Sequence, residues 1–365
     1  MKLLRPRFVT SLISGLVLTL GVLPASSASA APTFSTYVAS PSIGWSEGIA
    51  VDASGNLFIS SYDYGTVFEQ PSTGGPLVRV ATISGNNIKG LAVDQQGDLF
   101  IGAQGSGYLY EESAATIRSG LDATPVNGLV HVASSPSGEI GGLSVDTYGD
   151  LLFASGGQVY AVTAGTLATP ASLPATTANT RLLAITNSAT SIGAAEDVAV
   201  APSGDLLIAD NSGRVLDVPS SALSAALAGT PVASSSLRVI ANRATSGFVS
   251  PIAVKVDASG DVFIGDDYTG LIYEITAGDV AASLSSGTPV ASSSMNQVTT
   301  ITPMGMQLQG LAFGPSGLLY VGDGNNDIIR VSSTSFASPS NITSLSLSSG
   351  VNSLTASWSA TGSGT

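Results

Sequence analysis

Two short apolar runs joined by a polar turn form a pattern that occurs six times along the chain. The copies occupy residues 48–60, 90–101, 142–153, 197–208, 254–264 and 310–321. Both runs are almost wholly apolar, as in residues 57–59 and 151–153, rather than alternating between apolar and polar positions. Strands of this kind are buried on both faces, so the pattern predicts strands that pack inside a layered fold.

The turn within each copy ends in glycine, and Asp or Asn follows that glycine in five of the six copies. In the first copy Asp52 can accept hydrogen bonds from the next backbone amides, and Gly55 can adopt a positive φ without steric cost. Each copy is therefore predicted to be a β-hairpin.

A third apolar run follows each hairpin, and a fourth follows five of them. The third runs are residues 65–68, 107–110, 158–161, 213–216, 270–273 and 327–330, and the fourth are 77–80, 129–132, 181–184, 237–240 and 297–300. Four antiparallel strands per unit, stacked on neighbouring units, are typical of a propeller blade. The last copy lacks a fourth run, but residues 34–39 form a spare strand that can close the ring. We predict an all-β fold, a six-bladed β-propeller over residues 31–335 closed by its N-terminal strand.

The segments that join the third and fourth runs differ in length, and two of them are related. Residues 222–232 resemble residues 281–290, and both end in Gly-Thr-Pro-Val. With Ser220 or Ser221 as the cap and Gly229 as the stop, the first is predicted to form a short helix. We interpret these inserts as surface additions at the outer rim of a blade, without excluding a functional role.

Residues 1–30 have the features of a cleavable signal peptide. Three basic residues precede an apolar run over residues 8–23, and residues 28–30 provide small side chains for cleavage. We predict an exported protein whose mature chain begins at Ala31. No second long apolar span follows, so no membrane span is expected in the mature chain.

Charge and composition exclude several classes of partner and chemistry. Removal of the leader takes away three basic residues and no acidic ones, so the formal charge falls from −13 to −16. A chain of this sign is not expected to bind nucleic acid or anionic lipid. The absence of Cys excludes disulfides and Cys nucleophiles, and the single histidine, His131, excludes histidine-based triads. We expect a monomer.

The composition shifts to Ser and Thr after the sixth copy. Leu345, Leu347, Leu354 and Trp358 then occur in an alternating pattern. This segment resembles the opening of a fibronectin type III domain, including its early core Trp. Because such a domain has ~100 residues, residues 336–365 are predicted to be a linker and an incomplete start. We expect the sequence to be part of a longer, modular protein.

The repeats resemble those of the NHL family, in its secreted bacterial form. Gly-Leu-Ala-Val-Asp and Gly-Asp-Leu-Phe-Ile are similar to the family's first two strands, and residues 208–215 and 321–328 to its following Ala-Asp…Arg-Val element. The resemblance covers roughly residues 34–335 and implies the propeller fold. It does not imply one activity, because propellers host unrelated functions.

The first strand of each blade lines the central channel, so the residues that precede it are expected at the channel mouth. These are Glu47, Lys89, Gly141, Glu196, Ser250 or Pro251, and Gln309. Two carboxylates, a lysine and an amide in one ring could hold a hard cation or a small polar ligand, with Glu47 and Glu196 as candidate metal ligands. The alternative is a hydrated channel whose charges face solvent.

Glu47 and Gly48 also resemble the start of the first blade in the gluconolactonase and senescence-marker-protein family. The resemblance implies a metal-ligand role for Glu47 alone, because no Asn precedes a first strand here. Calcium is a further candidate cofactor at the acidic turns after the second strands, although such side chains often serve the turn backbone instead. These turns contain Asp63, Asp210, Asn211, Asp266, Asp267, Asp323, Asn325 and Asn326.

Three functions follow from these features. The first is a secreted, non-catalytic propeller that binds an extracellular protein, peptide or glycan, with Trp45, Tyr62 and Tyr64 as possible contacts on one rim. The second is a metal-dependent hydrolase, gluconolactonase-like or part of a polysaccharide-degrading enzyme. The third is a structural surface spacer.

Overall fold

Six four-stranded antiparallel sheets, one for each sequence copy, make up the propeller. The computed structural model describes residues 33–39, 43–168, 181–300, 308–322, 324, 327–332, 342–350 and 353–360. The predicted signal peptide lies outside the described residues. The sheets arise from strands whose side chains are buried throughout, as in Leu57–Ser61, Leu151–Ser155 and Val262–Asp266.

The first three blades each follow the chain from the innermost to the outermost strand. Blade 1 contains β2 (Ile49–Val51), β3 (Leu57–Ser61), β4 (Thr66–Gln70) and β5 (Val78–Thr82). Blade 2 contains β6 (Asn87–Val93), β7 (Leu99–Gln104), β8 (Tyr108–Glu112) and β9 (Leu129–Ser134). Blade 3 contains β10 (Leu143–Val145), β11 (Leu151–Ser155), β12 (Gln158–Val162) and β13 (Leu183–Ala184).

The last three blades follow the same order, except that the outermost strand of blade 6 is β1 (Thr33–Ala39). Blade 4 contains β14 (Ala195–Val200), β15 (Leu206–Asp210), β16 (Arg214–Val218) and β17 (Arg238–Asn242). Blade 5 contains β18 (Pro251–Val256), β19 (Val262–Asp266), β20 (Leu271–Ile275) and β21 (Asn296–Thr300). Blade 6 contains β22 (Gly310–Phe313), β23 (Leu319–Gly322) and β24 (Asp327–Ser332) beside β1.

The helices are short and lie in the segments after the third or fourth strand of a blade. They are α1 (Ala114–Arg118), α2 (Ala164–Leu167), α3 (Ser220–Leu227), α4 (Arg243–Ser246) and α5 (Ala277–Ser286). No helix among the described residues is long and apolar enough to cross a membrane. Beyond the propeller, β25 (Ile342–Gly350) and β26 (Ser353–Ala360) form a separate two-stranded antiparallel sheet.

The blades form a closed ring. Each innermost strand contacts the next in the order β2, β6, β10, β14, β18 and β22, and β22 contacts β2 again. The N-terminal strand β1 pairs antiparallel with β24, from Thr33 opposite Ser332 to Ala39 opposite Asp327. The predicted six-bladed propeller and its closure by the N-terminal strand are therefore confirmed.

Glycines at the start of the innermost strands allow neighbouring blades to meet backbone to backbone. A Cβ atom on Gly90 would lie 2.1 Å from the carbonyl oxygen of Gly141, and one on Gly310 would lie 2.1 Å from that of Glu47. Gly48 is similar, at 2.8 Å from the Lys89 carbonyl. These distances are far below van der Waals contact, so any side chain at these positions would push the innermost strands apart.

The recurring Asp residues of each hairpin have two separate roles. Asp94 Oδ1 accepts hydrogen bonds from the amides of Gln96 and Asp98, both at 2.9 Å, and so closes the turn around the positive φ of Gly97. Asp98 Oδ1 accepts the amide of Ala114 at 2.7 Å and so fixes the start of α1 after the third strand. Asn56, Asp150, Asp205 and Asp261 accept the equivalent amides in other blades. The predicted turn role of the first Asp is confirmed, whereas the second role was not foreseen.

The inserts between third and fourth strands bind the outer edge of the preceding blade. The amide of Ala123 donates to Val80 of β5, that of Val232 to Ile185 just after β13, and that of Val290 to Ile240 of β17. The inserts therefore protect the outer edges of neighbouring sheets, beyond the simple rim addition that we expected. We name residues 122–124, 231–233 and 289–291 the straps.

The predicted helix in the blade 4 insert forms as α3, but its predicted cap is wrong. The residue before the helix is Pro219, and no side chain caps α3 by a hydrogen bond. Instead, the amide of Ser220 donates to Asp205 Oδ1 at 2.7 Å. The second Asp of the hairpin therefore supplies the acceptor that a capping serine would provide.

We expect the substitution Gly90→Ala to destabilise the propeller by about 3 kcal/mol, because its Cβ would overlap the Gly141 carbonyl. The free energy of unfolding from urea titration measures this change. Gly165→Ala is the matched control, because nothing lies within 4 Å of a Cβ there and the residue is helical. Equal stabilities of the two variants would contradict the close-packed ring.

The buried Glu112 of β8 predicts a dependence of stability on pH. Its side chain is fully buried, and both carboxyl oxygens lack a hydrogen-bond partner in the described part of the chain. Burial, followed by the nearby charges of Asp122 and Glu69, raises the pKa of Glu112 to about 8. Because the folded chain retains a proton that the unfolded chain releases above its ordinary pKa, stability falls as pH rises towards 8.

We expect Glu112→Gln to reduce this loss of stability between pH 5 and pH 8, by up to about 1.4 kcal/mol per pH unit for one proton. Urea titrations of both proteins across this pH range measure the difference. Glu139→Gln is the matched control, because the Glu139 side chain is exposed. Parallel stability curves for wild type and Glu112→Gln would show that Glu112 does not carry the raised pKa.

Candidate functional site

β-Bulges direct side chains from the innermost strands into the central channel. The register of blade 2 shifts between Ile88 and Gly90, which leaves Lys89 as the extra residue. Equivalent shifts leave Glu196 as the extra residue in blade 4 and Ile252 as the extra residue in blade 5. Bulges turn a side chain away from the sheet, and all three residues line one cavity on the channel axis.

This cavity is narrow, with a volume of about 30 Å³. It brings together the four predicted site residues Glu47, Lys89, Glu196 and Gln309. The expectation for blade 5 is wrong: the bulge places Ile252 in the ring instead of Ser250 or Pro251, a shift of one to two residues.

Lys89 and Glu196 form an ion pair across the channel mouth. Lys89 Nζ lies 2.7 Å from Glu196 Oε2, and both side chains are largely buried. Burial alone would lower the pKa of Lys89, but the charge and hydrogen bond of Glu196, together with the charge of Glu47, raise it above its ordinary value. Asn211 Nδ2 donates to the other Glu196 oxygen at 3.4 Å, and Ser250 Oγ donates to Asn211 Oδ1 at 2.5 Å. The Glu196 carboxylate is therefore satisfied by protein donors.

Glu47 is the unsatisfied carboxylate of the ring. Its Oε2 atom is buried and has no hydrogen-bond partner within the described residues. Burial raises the pKa of Glu47 to about 7, Lys89 opposes that rise, and the charges of Glu196, Asp267 and Asp63 add to it. Glu47 is therefore poised between its neutral and charged forms near neutral pH.

Asp267 joins this group from the turn after the second strand of blade 5. Its amide donates to the carbonyl of Ser250 at 3.1 Å, which places the turn beside the segment that leads into β18. Asp267 Oδ1 is buried without a partner in the portion that the structure describes, and burial raises the pKa of this residue, aided by Asp266 and Glu196. We define the channel mouth as Glu47, Lys89, Glu196, Asn211 and Asp267.

A second ion pair lies on the wall of the same axial cavity. Lys255 Nζ is 2.6 Å from Asp197 Oδ2, and that oxygen also accepts the amide of Val254 at 3.0 Å. Asp197 occupies the position that glycine holds in blades 1, 2, 3 and 6. Its carboxylate therefore links two innermost strands where the other blades use direct backbone contact.

A side pocket opens from the Lys89 and Glu196 pair over blades 2 to 4. Its volume is about 180 Å³, and its lining includes Gln104, Glu139 and Ser155. Lys89 and Glu196 line both the axial cavity and this pocket, and Gly141 holds the ring position of blade 3 between them without a side chain.

Aromatic side chains stand on the same rim as the channel mouth. Tyr64 and Tyr268 are 59% and 78% exposed, and they follow the second strands of blades 1 and 5. Trp45 is half-buried, and its indole nitrogen is enclosed without a partner among described residues. The backbone amide of Tyr62 donates a hydrogen bond to the carbonyl oxygen of Trp45 at 2.7 Å. The predicted aromatic rim near Glu47 is thus present, with Tyr268 as an unforeseen member.

The acidic turns proposed for calcium serve mainly the backbone. Asp210 accepts the amides of Gly193, Ala194 and Ser212, which lower its pKa although burial alone would raise it. Within the described ranges, no group of three or more acidic or histidine side chains is placed to hold a metal ion. The turn with Asp323, Asn325 and Asn326 lies outside the described residues.

His131 lies in the outermost strand of blade 2, away from the channel-mouth residues. Its ring packs against Tyr108 and Tyr110, with centroid distances of 4.6 and 5.5 Å. Its Nε2 atom is 2.8 Å from the Ala133 carbonyl. The ring is therefore held by blade 2 itself.

Comparison with solved structures identifies the same class of fold. A streptogramin B lyase is 12% identical, with 83% of this chain and 98% of that chain covered and a TM-score of 0.54. A gluconolactonase from Xanthomonas campestris is 15% identical, with 80% and 86% covered and a TM-score of 0.54. A luciferin-regenerating enzyme is 13% identical, with 82% and 95% covered and a TM-score of 0.59.

These likenesses support the fold, a six-bladed β-propeller, and at such identities they concern the fold alone. No family model and no curated protein sequence matches the chain.

We expect Lys89→Met to raise the pKa of Glu47 further above about 7, because the Lys89 charge opposes that rise. Carbon-13 NMR titration of the glutamate carboxyl groups measures the shift. Arg79→Met is the control, since Arg79 pairs with Asp122 on an outermost strand instead. An unchanged Glu47 titration in Lys89→Met would show that the ammonium group does not act on Glu47.

Proposed function

We propose that this chain is an exported, non-catalytic binding propeller that takes a small polar ligand at the channel mouth. The main support for this proposal is a contrast between two kinds of carboxylate at the channel mouth. Glu196 is satisfied by Lys89 and Asn211, whereas Glu47 Oε2 and Asp267 Oδ1 are buried without partners in the described chain. Buried acceptors without donors are costly, so a ligand that supplies donors would be stabilised at this position.

The surroundings of the mouth support binding of a ligand with a polar body. The side pocket is lined by Gln104, whose Oε1 is also without a described partner, and by Ser155. Exposed Tyr64 and Tyr268 provide flat surfaces of the kind that stack on sugars or peptides. A glycan or short peptide in the extracellular space fits this combination.

Export and modular context belong to the same proposal. The leader pattern of residues 1–30, the resemblance to NHL repeats and the fibronectin-like pattern of residues 336–365 favour a secreted modular protein. In such a protein the propeller would serve as the recognition module.

A metal-dependent hydrolase is the second candidate. It is favoured by the unpartnered carboxylate of Glu47 and by the likeness of the fold to a gluconolactonase. In that case Glu47, with Asp267, would hold the cation, and the cation would polarise a substrate carbonyl. Glu196 is a weaker ligand in this arrangement, because it already pairs with Lys89.

The substitution Glu47→Gln distinguishes the two candidates. We expect it to weaken a ligand found in a calorimetric screen of sugars and short peptides by at least about tenfold, the size of one charge-assisted hydrogen bond. Asp122→Asn, remote from the channel, is the charge-matched control. Lactone hydrolysis that needs added metal and is lost in Glu47→Gln would favour the hydrolase instead. A ligand that binds Glu47→Gln as tightly as wild type would contradict the channel-mouth site.

A further inference from the structure

We propose that the channel mouth recognises a primary ammonium group, so that its ligand is an organic amine. This inference rests on the proposed binding function and specifies the chemistry of the ligand. The evidence for it is the position, burial and bonding of four residues of the channel mouth, Glu47, Asp267, Lys89 and Glu196. Exposed Tyr64 and Tyr268 on the same rim add to this evidence.

The local charge favours a cation over a neutral or anionic group. Four carboxyl groups act on this place, those of Glu47, Glu196, Asp267 and Asp63, and Lys89 is the cation that opposes them. The second lysine on the cavity wall, Lys255, is paired with Asp197. Since Lys89 is already paired with Glu196, its charge is not available to a ligand anion. A cationic ligand would relieve the mutual repulsion of the remaining carboxylates.

Lys89 itself shows how the ring accommodates an ammonium group. Its Nζ lies 2.7 Å from Glu196 Oε2, a charge-assisted hydrogen bond in a largely buried place. An ammonium group carries three donors and no acceptor. Glu47 lines the axial cavity, and Asp267 is near enough for its charge to act on Glu47. Glu47 Oε2 and Asp267 Oδ1 have no donor within the described part of the chain, so a ligand ammonium at the cavity mouth would complete them as Lys89 completes Glu196.

The size of the axial cavity selects a compact head group. Its volume of about 30 Å³ is room for about two water molecules. A compact ammonium group fits such a space, whereas a planar guanidinium is broader and presents a fixed fork of donors. The rest of the ligand would lie outward, near Tyr64 and Tyr268, whose rings attract cations and pack on apolar or sugar surfaces.

Isothermal titration with pairs of amines and neutral analogues tests the inference on the full chain. The probes are glucosamine against N-acetylglucosamine, and 1,5-diaminopentane against 1,5-pentanediol. We expect the amine of at least one pair to bind at least tenfold more tightly than its neutral analogue when both are measured at pH 7. Preference for the amino sugar or for the diamine identifies the source of the ammonium group, and either supports the inference.

Variants separate recognition of charge from general loss of fold. Glu47→Gln and Asp267→Asn each reduce amine affinity at least tenfold, while Asp122→Asn retains it. Thermal unfolding checks that each variant is folded. If a neutral sugar or peptide binds at the mouth and the amines do not, the ammonium inference is overturned but the binding function stands. If no probe and no member of the wider screen binds, both are overturned.

Discussion

Direct backbone contact between innermost strands is the constraint on which the rest of this propeller depends. At Gly48, Gly90 and Gly310 the neighbouring carbonyl oxygen lies where a Cβ atom would be, so the ring has its narrow diameter only with glycine there. Because the ring is narrow, the axial cavity is small and the side chains around it are forced into mutual contact. Two ion pairs then form across a space that a wider ring would leave to water.

The same contact determines the chemistry of the channel mouth. Bulges turn Lys89, which precedes Gly90, and Glu196, which precedes Asp197, towards the axis. Once these two are paired, one oxygen each of Glu47 and Asp267 remains buried without a donor among the described residues, and burial raises the pKa of both groups. The structure thus keeps a polar, incompletely satisfied site at the centre of a fold that is otherwise packed with apolar side chains.

Much of the fold could be predicted from the sequence, because six copies of a doubly buried hairpin have few ways to pack. Glu47, Lys89, Glu196 and Gln309 were also predictable, since their position before the first strand repeats with the copies. Ile252 was missed because a bulge shifts the register by one residue, and no sequence signal marks the bulge. Asp267 was grouped with the turns, although adjacent hairpin ends share one face of the ring. The straps could not be foreseen, because their hydrogen bonds join segments far apart in sequence.

The straps imply that a structurally complete blade does not coincide with one sequence repeat. The inserts that carry the straps belong to blades 2, 4 and 5 by sequence, yet each completes the rim of the blade before it. A single sheet moved into another protein would therefore lose the strap that protects its outer edge. It would also bring a strap whose own binding edge is missing. Recombination or duplication of this propeller must break the chain so that each sheet travels with its successor's insert, which restricts how the ring can lengthen, shorten or exchange parts.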